Sequence, residues 1–196
     1  MTPARAFDTD TELMIRVQSE DADSFGVLLT RNRSVVVQYL SRVVQNQAIA
    51  EELAQDVFVR VYRSRRTYEP TARFSTWLYR ITTNVALNYF RDGKKFQNHL
   101  SLDNQEFAHH RREIRDDTLS AEGRLLRQAL AAQVRRAIRG LPPKQRAAVI
   151  MHKYQELDYA QIASVLDCTP SAVKALMFRA YETLRTRLSY LHGAKQ

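Results

Sequence analysis

The sequence predicts an all-α protein: two small helical domains joined by a flexible linker. Three observations carry this. Apolar residues recur every three or four positions through most of the chain, the period of a helix with one buried face. No alternating strand pattern with hairpin turns occurs, and only five glycines and five prolines punctuate 196 residues. Residues 96–124 are polar, with mixed charge and no sustained apolar stripe, so they divide a first domain, residues 8–95, from a second, residues 125–190.

The elements follow in order. Residues 11–20 start a first helix after the capping-type run Asp8-Thr9-Asp10, and residues 22–30 give a second. Residues 34–44 form a third, with Val35, Val36, Tyr39, Leu40 and Val43 turned inward. Residues 48–63 and 74–91 are helical, separated by a loop holding Tyr68, Glu69 and Pro70, and Asp92-Gly93 is read as a stop. In the second domain residues 125–139 are helical up to Gly140, and Leu141-Pro142-Pro143 begins a new segment. Helices at 144–152, 159–166 and 170–188 complete the chain.

The helix at 74–91 has two kinds of face. At about 100° per residue, Phe74, Leu78, Ile81, Val85 and Tyr89 form an apolar arc directed at a core. Trp77, Arg80, Asn84, Asn88 and Arg91 share another arc. An indole ring can stack on a base, an amide can read a base edge and a guanidinium can hold phosphate. Together these residues suit an unpaired nucleic-acid strand.

Charge points to the same partner. Lysine and arginine number 30 against 21 acidic residues, a net charge of +9. Residues 125–196 carry 12 basic and 4 acidic side chains, whereas residues 8–95 carry 13 and 11. The second half is expected to bind a polyanionic duplex. A single cysteine, Cys168, excludes an internal disulfide and a cysteine-based zinc cluster. It stands at a turn position that is normally apolar and is expected in the core. With no span of ~20 apolar residues and no signal-type N-terminal segment, an intracellular, cytoplasmic protein without membrane insertion is expected.

Residues 158–187 carry a helix-turn-helix pattern. Ile162, Ala163 and Leu166 face inward on the first helix, and Asp167-Cys168-Thr169 forms the turn. Thr169 is the N-cap of the second helix and Pro170 its first residue. Val173, Leu176, Met177, Ala180 and Leu184 form its buried stripe, with Ser171, Lys174, Phe178 and Arg185 opposite. Asp167, where glycine is usual, must take a left-handed conformation.

On the helix at 49–63 the outer arc carries Glu51, Glu52, Gln55 and Asp56, with Val59 and Tyr62 set among them. Two apolar side chains in an acidic face suit a protein-binding surface.

Three stretches, AEELAQDVFVRVYR (residues 50–63), FSTWLYRITTNVALNYFR (74–91) and LPPKQRAAVIMHKYQELDYAQIASVLDCTPSAVKALMFRAYETLR (141–185), together resemble the extracytoplasmic-function (ECF) sigma factors of bacterial RNA polymerase. The resemblance implies two helical domains, region 2 and region 4, with no catalytic group and no cofactor. It implies that Trp77, Arg80, Asn84, Asn88 and Arg91 read the minus-ten strand and that Tyr68 lies in the loop that pockets a flipped-out base. It implies that the helix at 170–187 reads the minus-35 duplex through Ser171, Lys174, Ala175, Phe178 and Arg179. Ala175 and Leu176 stand where many members carry Ser and Arg. The acidic face would dock on the clamp helices of the polymerase's largest subunit, and region 4 on the flap of the second-largest. An anti-sigma factor covering both domains is a further implied partner.

Two other readings compete. A metal-dependent enzyme would have to use His99, His109, His110, Asp116 and Asp117, which lie in the polar segment, without rigid spacing or a nucleophile. A stand-alone helix-turn-helix regulator accounts for the charge but not for the Trp77 stripe or the acidic face.

Overall fold

The computed structural model describes residues 9–97 and 121–189, and no strand occurs among them. Eight α-helices follow one another: α1 (Thr9–Gln18), α2 (Ala22–Val44), α3 (Gln47–Arg63), α4 (Phe74–Gln97), α5 (Ala121–Arg139), α6 (Pro143–Tyr154), α7 (Tyr159–Leu166) and α8 (Pro170–Leu188). A single 3-10 turn, Arg65–Thr67, lies between α3 and α4. The candidate metal ligands of the polar segment lie outside the described residues.

Three boundaries differ from the sequence reading by more than two residues. The expected second and third helices are one, α2, because Arg31-Asn32-Arg33 carries no breaker and Asn32 donates back to the Leu28 carbonyl at 3.0 Å. Helix α4 runs through Asp92-Gly93 to Gln97, and α5 begins at Ala121, so both ends of the expected linker are helical. Glycine is unfavourable in a helix by only about 1 kcal/mol, too little to stop a helix anchored by a long buried face.

Caps set the remaining ends. Asp21 accepts from the Ser24 N–H at 3.0 Å to start α2, and Asn46 accepts from the Ile49 N–H at 3.1 Å to start α3. Between them Gln45 takes a left-handed conformation, φ 56°, which turns the chain sharply enough for α3 to fold back on α2.

In the first domain α1, α3 and α4 pack around α2. Tyr39, Leu40, Val43, Val57, Val61 and Phe74 are fully buried there. The inward set of α2 includes Val37 rather than Val35, which is 38% exposed. Tyr89 is 36% exposed and lies at the edge of its arc rather than within the core. In the second domain α6, α7 and α8 enclose Ile150, Met151, Ile162, Val173 and Met177, while α5 rests on α8.

The domains also touch each other: α7 packs on α4 and α6 on α2, so the buried residues form one cluster. Arg146 lies in this seam, with its guanidinium 5.0 Å from the Phe90 ring centroid. Burial, then the charge of Arg139, push its pKa down to about 10, which leaves it cationic at neutral pH.

Candidate nucleic-acid and protein interfaces

Helix α4 presents the predicted stripe. Arg80, Asn84 and Arg91 are exposed, while Trp77 and Asn88 are half-buried. Trp77 is held in place by an aromatic cluster, its ring centroid 4.9 Å from Tyr68 and 5.8 Å from Phe74. Tyr68 requires a correction. It is only 3% exposed, its hydroxyl lies 3.5 Å from Thr11 Oγ1, and its carbonyl accepts from Gln18 Nε2 at 2.7 Å. A ring so covered offers no open face to a base in this arrangement; it packs edge-on against Trp77. The loop that bears Tyr68 is folded against α1, a tertiary contact that no local pattern announces.

Two carboxylates flank the stripe. Arg91 Nε lies 3.2 Å from Asp92 Oδ1, and Arg80 Nη2 lies 3.9 Å from Asp167 Oδ1, at the turn of the second domain. Both arginines remain more than half exposed, so these pairs are weak and can exchange for phosphate.

The helix-turn-helix forms as the sequence indicates. Asp158 and Gln161 make a reciprocal capping box at the start of α7. Asp167 is left-handed, φ 52° and ψ 57°, and Thr169 Oγ1 accepts from the Ala172 N–H at 3.1 Å to start α8. Val173, Met177 and Ala180 are buried, and Leu176 and Leu184 pack against the core. Ser171, Lys174, Ala175, Phe178 and Arg179 all face solvent, with Phe178 66% exposed. Phe178 is thus a large apolar ring left open on an otherwise polar helix face. Cys168 is exposed, contrary to expectation. The left-handed Asp167 rotates the next residue outward, and Val165 and Leu166 fill the interior instead.

On α3, Glu52, Gln55, Val59 and Tyr62 are exposed, and Glu51 and Asp56 are half-buried. Asp56 takes Arg60 through both oxygens, with Nε 3.1 Å from each, and Glu51 pairs with Arg33. The structure adds a wall that the sequence reading missed. Phe25 and Leu29 of α2 join Ala54, Phe58, Val59 and Tyr62 around a mostly apolar groove of about 370 Å³. The Phe25 and Tyr62 rings are 5.0 Å apart, and the Arg65 guanidinium lies 4.1 Å from the Tyr62 ring centroid. The four-residue spacing of Phe25 and Leu29 was the available signal. A second apolar surface also went unread: Leu126, Leu130 and Val134 recur every four residues along α5 and are 62%, 39% and 36% exposed.

Comparison with known proteins places these surfaces in a family. Sigma-70 region 2 matches residues 28–96, and Sigma-70 region 4 matches residues 131–184. The ECF RNA polymerase sigma-E factor of Haemophilus influenzae is 31% identical over 93% of this chain and 97% of its own. The chain belongs to the ECF sigma factors of RNA polymerase. The sigma-E factor of Escherichia coli K12 is 30% identical over 93% of this sigma factor and 96% of its own length. The sigma-H factor of Pseudomonas aeruginosa is 29% identical over 94% and 96%. Among solved structures, CnrH in complex with the cytosolic domain of CnrY has a TM-score of 0.64 at 22% identity, covering 96% of this sigma factor and all of that chain. RpoE in complex with the anti-sigma factor NepR from Bartonella quintana has a TM-score of 0.66 at 19% identity, covering 86% and 98%. These two likenesses concern the fold. No helix among the described residues is long and apolar enough to cross a membrane.

Proposed function

We propose that this sigma factor opens promoters by binding preference alone, acting in the cytoplasm with core RNA polymerase and without a catalytic group or cofactor. The stripe of Trp77, Arg80, Asn84, Asn88 and Arg91, exposed at Arg80, Asn84 and Arg91 and half-buried at Trp77 and Asn88, is, beside the near-neutral charge of the first domain, the observation that carries this reading. Trp77 would stack on an unpaired minus-ten base, Asn84 and Asn88 would read base edges, and the arginines would hold the strand. Unstacking a base costs a few kcal/mol, and stacking on an aromatic ring returns about 1–3 kcal/mol per base, so one ring supported by polar contacts suffices to favour the open strand.

In this reading the domains fall at residues 8–95 and 125–190. The second domain would read minus-35 duplex through Ser171, Lys174, Ala175, Phe178 and Arg179. The α3 face of Glu51, Glu52, Gln55, Asp56, Val59 and Tyr62 would dock on the clamp helices of the largest polymerase subunit. The groove walled by Phe25 and Leu29 would take an apolar side chain from that partner. The leucine stripe of α5 would meet the flap of the second-largest subunit. An anti-sigma factor is a further proposed partner, as the sigma factor RpoE of Bartonella quintana was solved with the anti-sigma factor NepR.

Mixing the chain with core polymerase and a promoter template should yield promoter-specific transcripts. A chain that fails to co-elute with core enzyme yet still binds duplex DNA would instead be a stand-alone regulator.

A further inference from the structure

The positive excess of the first domain is gathered in one place. Residues 63–73, from the end of α3 to the start of α4, carry four arginines, Arg63, Arg65, Arg66 and Arg73, against Glu69 alone. The remaining residues of 8–95 carry 9 basic and 10 acidic side chains. The turn that bears Arg66 is fixed by its backbone: the Thr67 N–H donates to the Ser64 carbonyl at 3.1 Å and the Tyr68 N–H to the Arg65 carbonyl at 3.3 Å. Arg65 is half-buried, with Nη1 donating to the Tyr62 carbonyl at 3.0 Å. Arg66 stays exposed and donates from Nη2 to Glu20 Oε1 at 2.8 Å. Arg65 Nη2 lies 3.9 Å from the same oxygen, so two guanidiniums converge on one exposed carboxylate.

Arg73 continues the stripe of α4 in the other direction. Its carbonyl accepts from the Thr76 N–H at 3.0 Å and from the Trp77 N–H at 3.4 Å, so its backbone is part of the first turn. From Arg73 the steps to Trp77, Arg80, Asn84, Asn88 and Arg91 are three or four residues each, one line along the helix. Arg80 and Arg91 each face a carboxylate, whereas Arg73 is exposed and has no ion pair among the described residues. Both cations are tied to the same ring. Tyr68, two residues past Arg66, packs on Trp77 at 4.9 Å, and Phe74, next to Arg73, packs on it at 5.8 Å. Along the axis Arg73 lies about 6 Å from Trp77, between one and two nucleotides of a strand that rises about 3.4 Å per unit.

We propose that Arg66 and Arg73 form a phosphate-binding corner that grips the unpaired strand just beyond the base stacked on Trp77, on the side away from Asn84. In the free chain the Glu20 carboxylate holds the place of a phosphate oxygen on Arg66, and the arriving strand takes that place over. An exposed ion pair of this kind exchanges readily. A guanidinium matches phosphate in charge and in its forked donors, and such a contact carries no sequence information. The corner therefore lengthens the footprint on the opened strand without adding base specificity. This inference rests on the strand-binding role proposed for the α4 stripe.

From Trp77 to Arg91 the stripe is about 21 Å long, or about six nucleotides. The test uses the full chain and fluorescent single strands of six random nucleotides, either bare or extended by three abasic nucleotides at the 5′ or the 3′ end. Abasic units add phosphates and nothing that stacks. One of the two extensions should tighten binding about tenfold at 50 mM salt, and that gain should shrink about sevenfold by 200 mM, as two further phosphate contacts on a single strand require. A chain with Arg66→Gln and Arg73→Gln should gain nothing from either extension. Glu20→Gln removes the competing carboxylate and should enlarge the gain, with helicity unchanged. No gain in wild type, equal gains from both ends, a gain indifferent to salt, or one that survives in the double variant would overturn the corner. A Glu20→Gln chain with no larger gain would overturn the exchange. A Trp77→Ala chain that binds the bare strand as tightly as wild type would instead refute the stripe itself, as would a wild-type chain that binds none of the three probes, and the corner falls with it.

Discussion

In the proposed function Trp77 would have two tasks that pull in opposite directions: its ring would have to be fixed by neighbours yet keep a face for a base. The ring is half-buried against Tyr68 and Phe74, an arrangement compatible with both. Trp77→Ala combined with Asn84→Ala should weaken binding to single-stranded minus-ten DNA by about 1–3 kcal/mol for the lost stack, and more with the lost amide. Minus-35 duplex binding should stay within twofold. Fluorescence anisotropy with each probe separates the two activities, and equal losses from a folded variant would refute the assignment. The stripe itself was legible because it is a property of one helix and its period. The burial of Tyr68 and the exposure of Cys168 were not legible, since both depend on which distant element closes over a loop. Arg146 was equally hidden: within its own helix it reads as a surface residue, and only the neighbouring helix ends make it a buried donor to three carbonyls. Arg146→Met should lower stability by about 1–3 kcal/mol through the orphaned carbonyls, measured by chemical denaturation.

At the scale of elements, capping residues made α7 and α8 readable to the residue, since Asp158 and Thr169 bond locally to the N–H groups they cap. Thr169→Ala should destabilise the second domain by about 1 kcal/mol, lowering its thermal midpoint without altering the fold. Helix α2 was harder to read because polar residues in mid-helix look like a break until tertiary packing is known. The outer face of α3 was legible as a surface, but its groove was not, because Phe25 and Leu29 come from a helix about thirty residues upstream. Asp56 lies on that face and is paired with Arg60, an exposed i,i+4 contact worth about 0.3–0.5 kcal/mol. Asp56→Arg should therefore cost little in folding yet weaken assembly with core polymerase, by roughly 2–5 kcal/mol where its partner is a buried cation and by much less at the rim. A gel-filtration titration that shows wild-type affinity would mean this face is simply solvated.

Across the whole molecule, charge is divided between the domains as sharply as structure is. Residues 125–196 carry 12 basic and 4 acidic side chains, and the first domain is nearly balanced. Each phosphate neutralised on duplex DNA contributes about −0.9 to the slope of log affinity against log salt, and each on a single strand about −0.7. Lys174, Arg179 and Arg185 are exposed on α8, and one or two further cations of the second domain can reach the backbone. Four contacts give a slope of about −3.6 for minus-35 duplex. Arg80 and Arg91 supply two on the stripe, or about −1.4 for the minus-ten strand. Raising salt from 50 to 200 mM should then cost duplex binding about 150-fold and strand binding about sevenfold. Salt titrations of the full chain against the two probes measure both slopes. Equal slopes would mean that charge, rather than stacking, holds the minus-ten strand, and Trp77 would lose its proposed role.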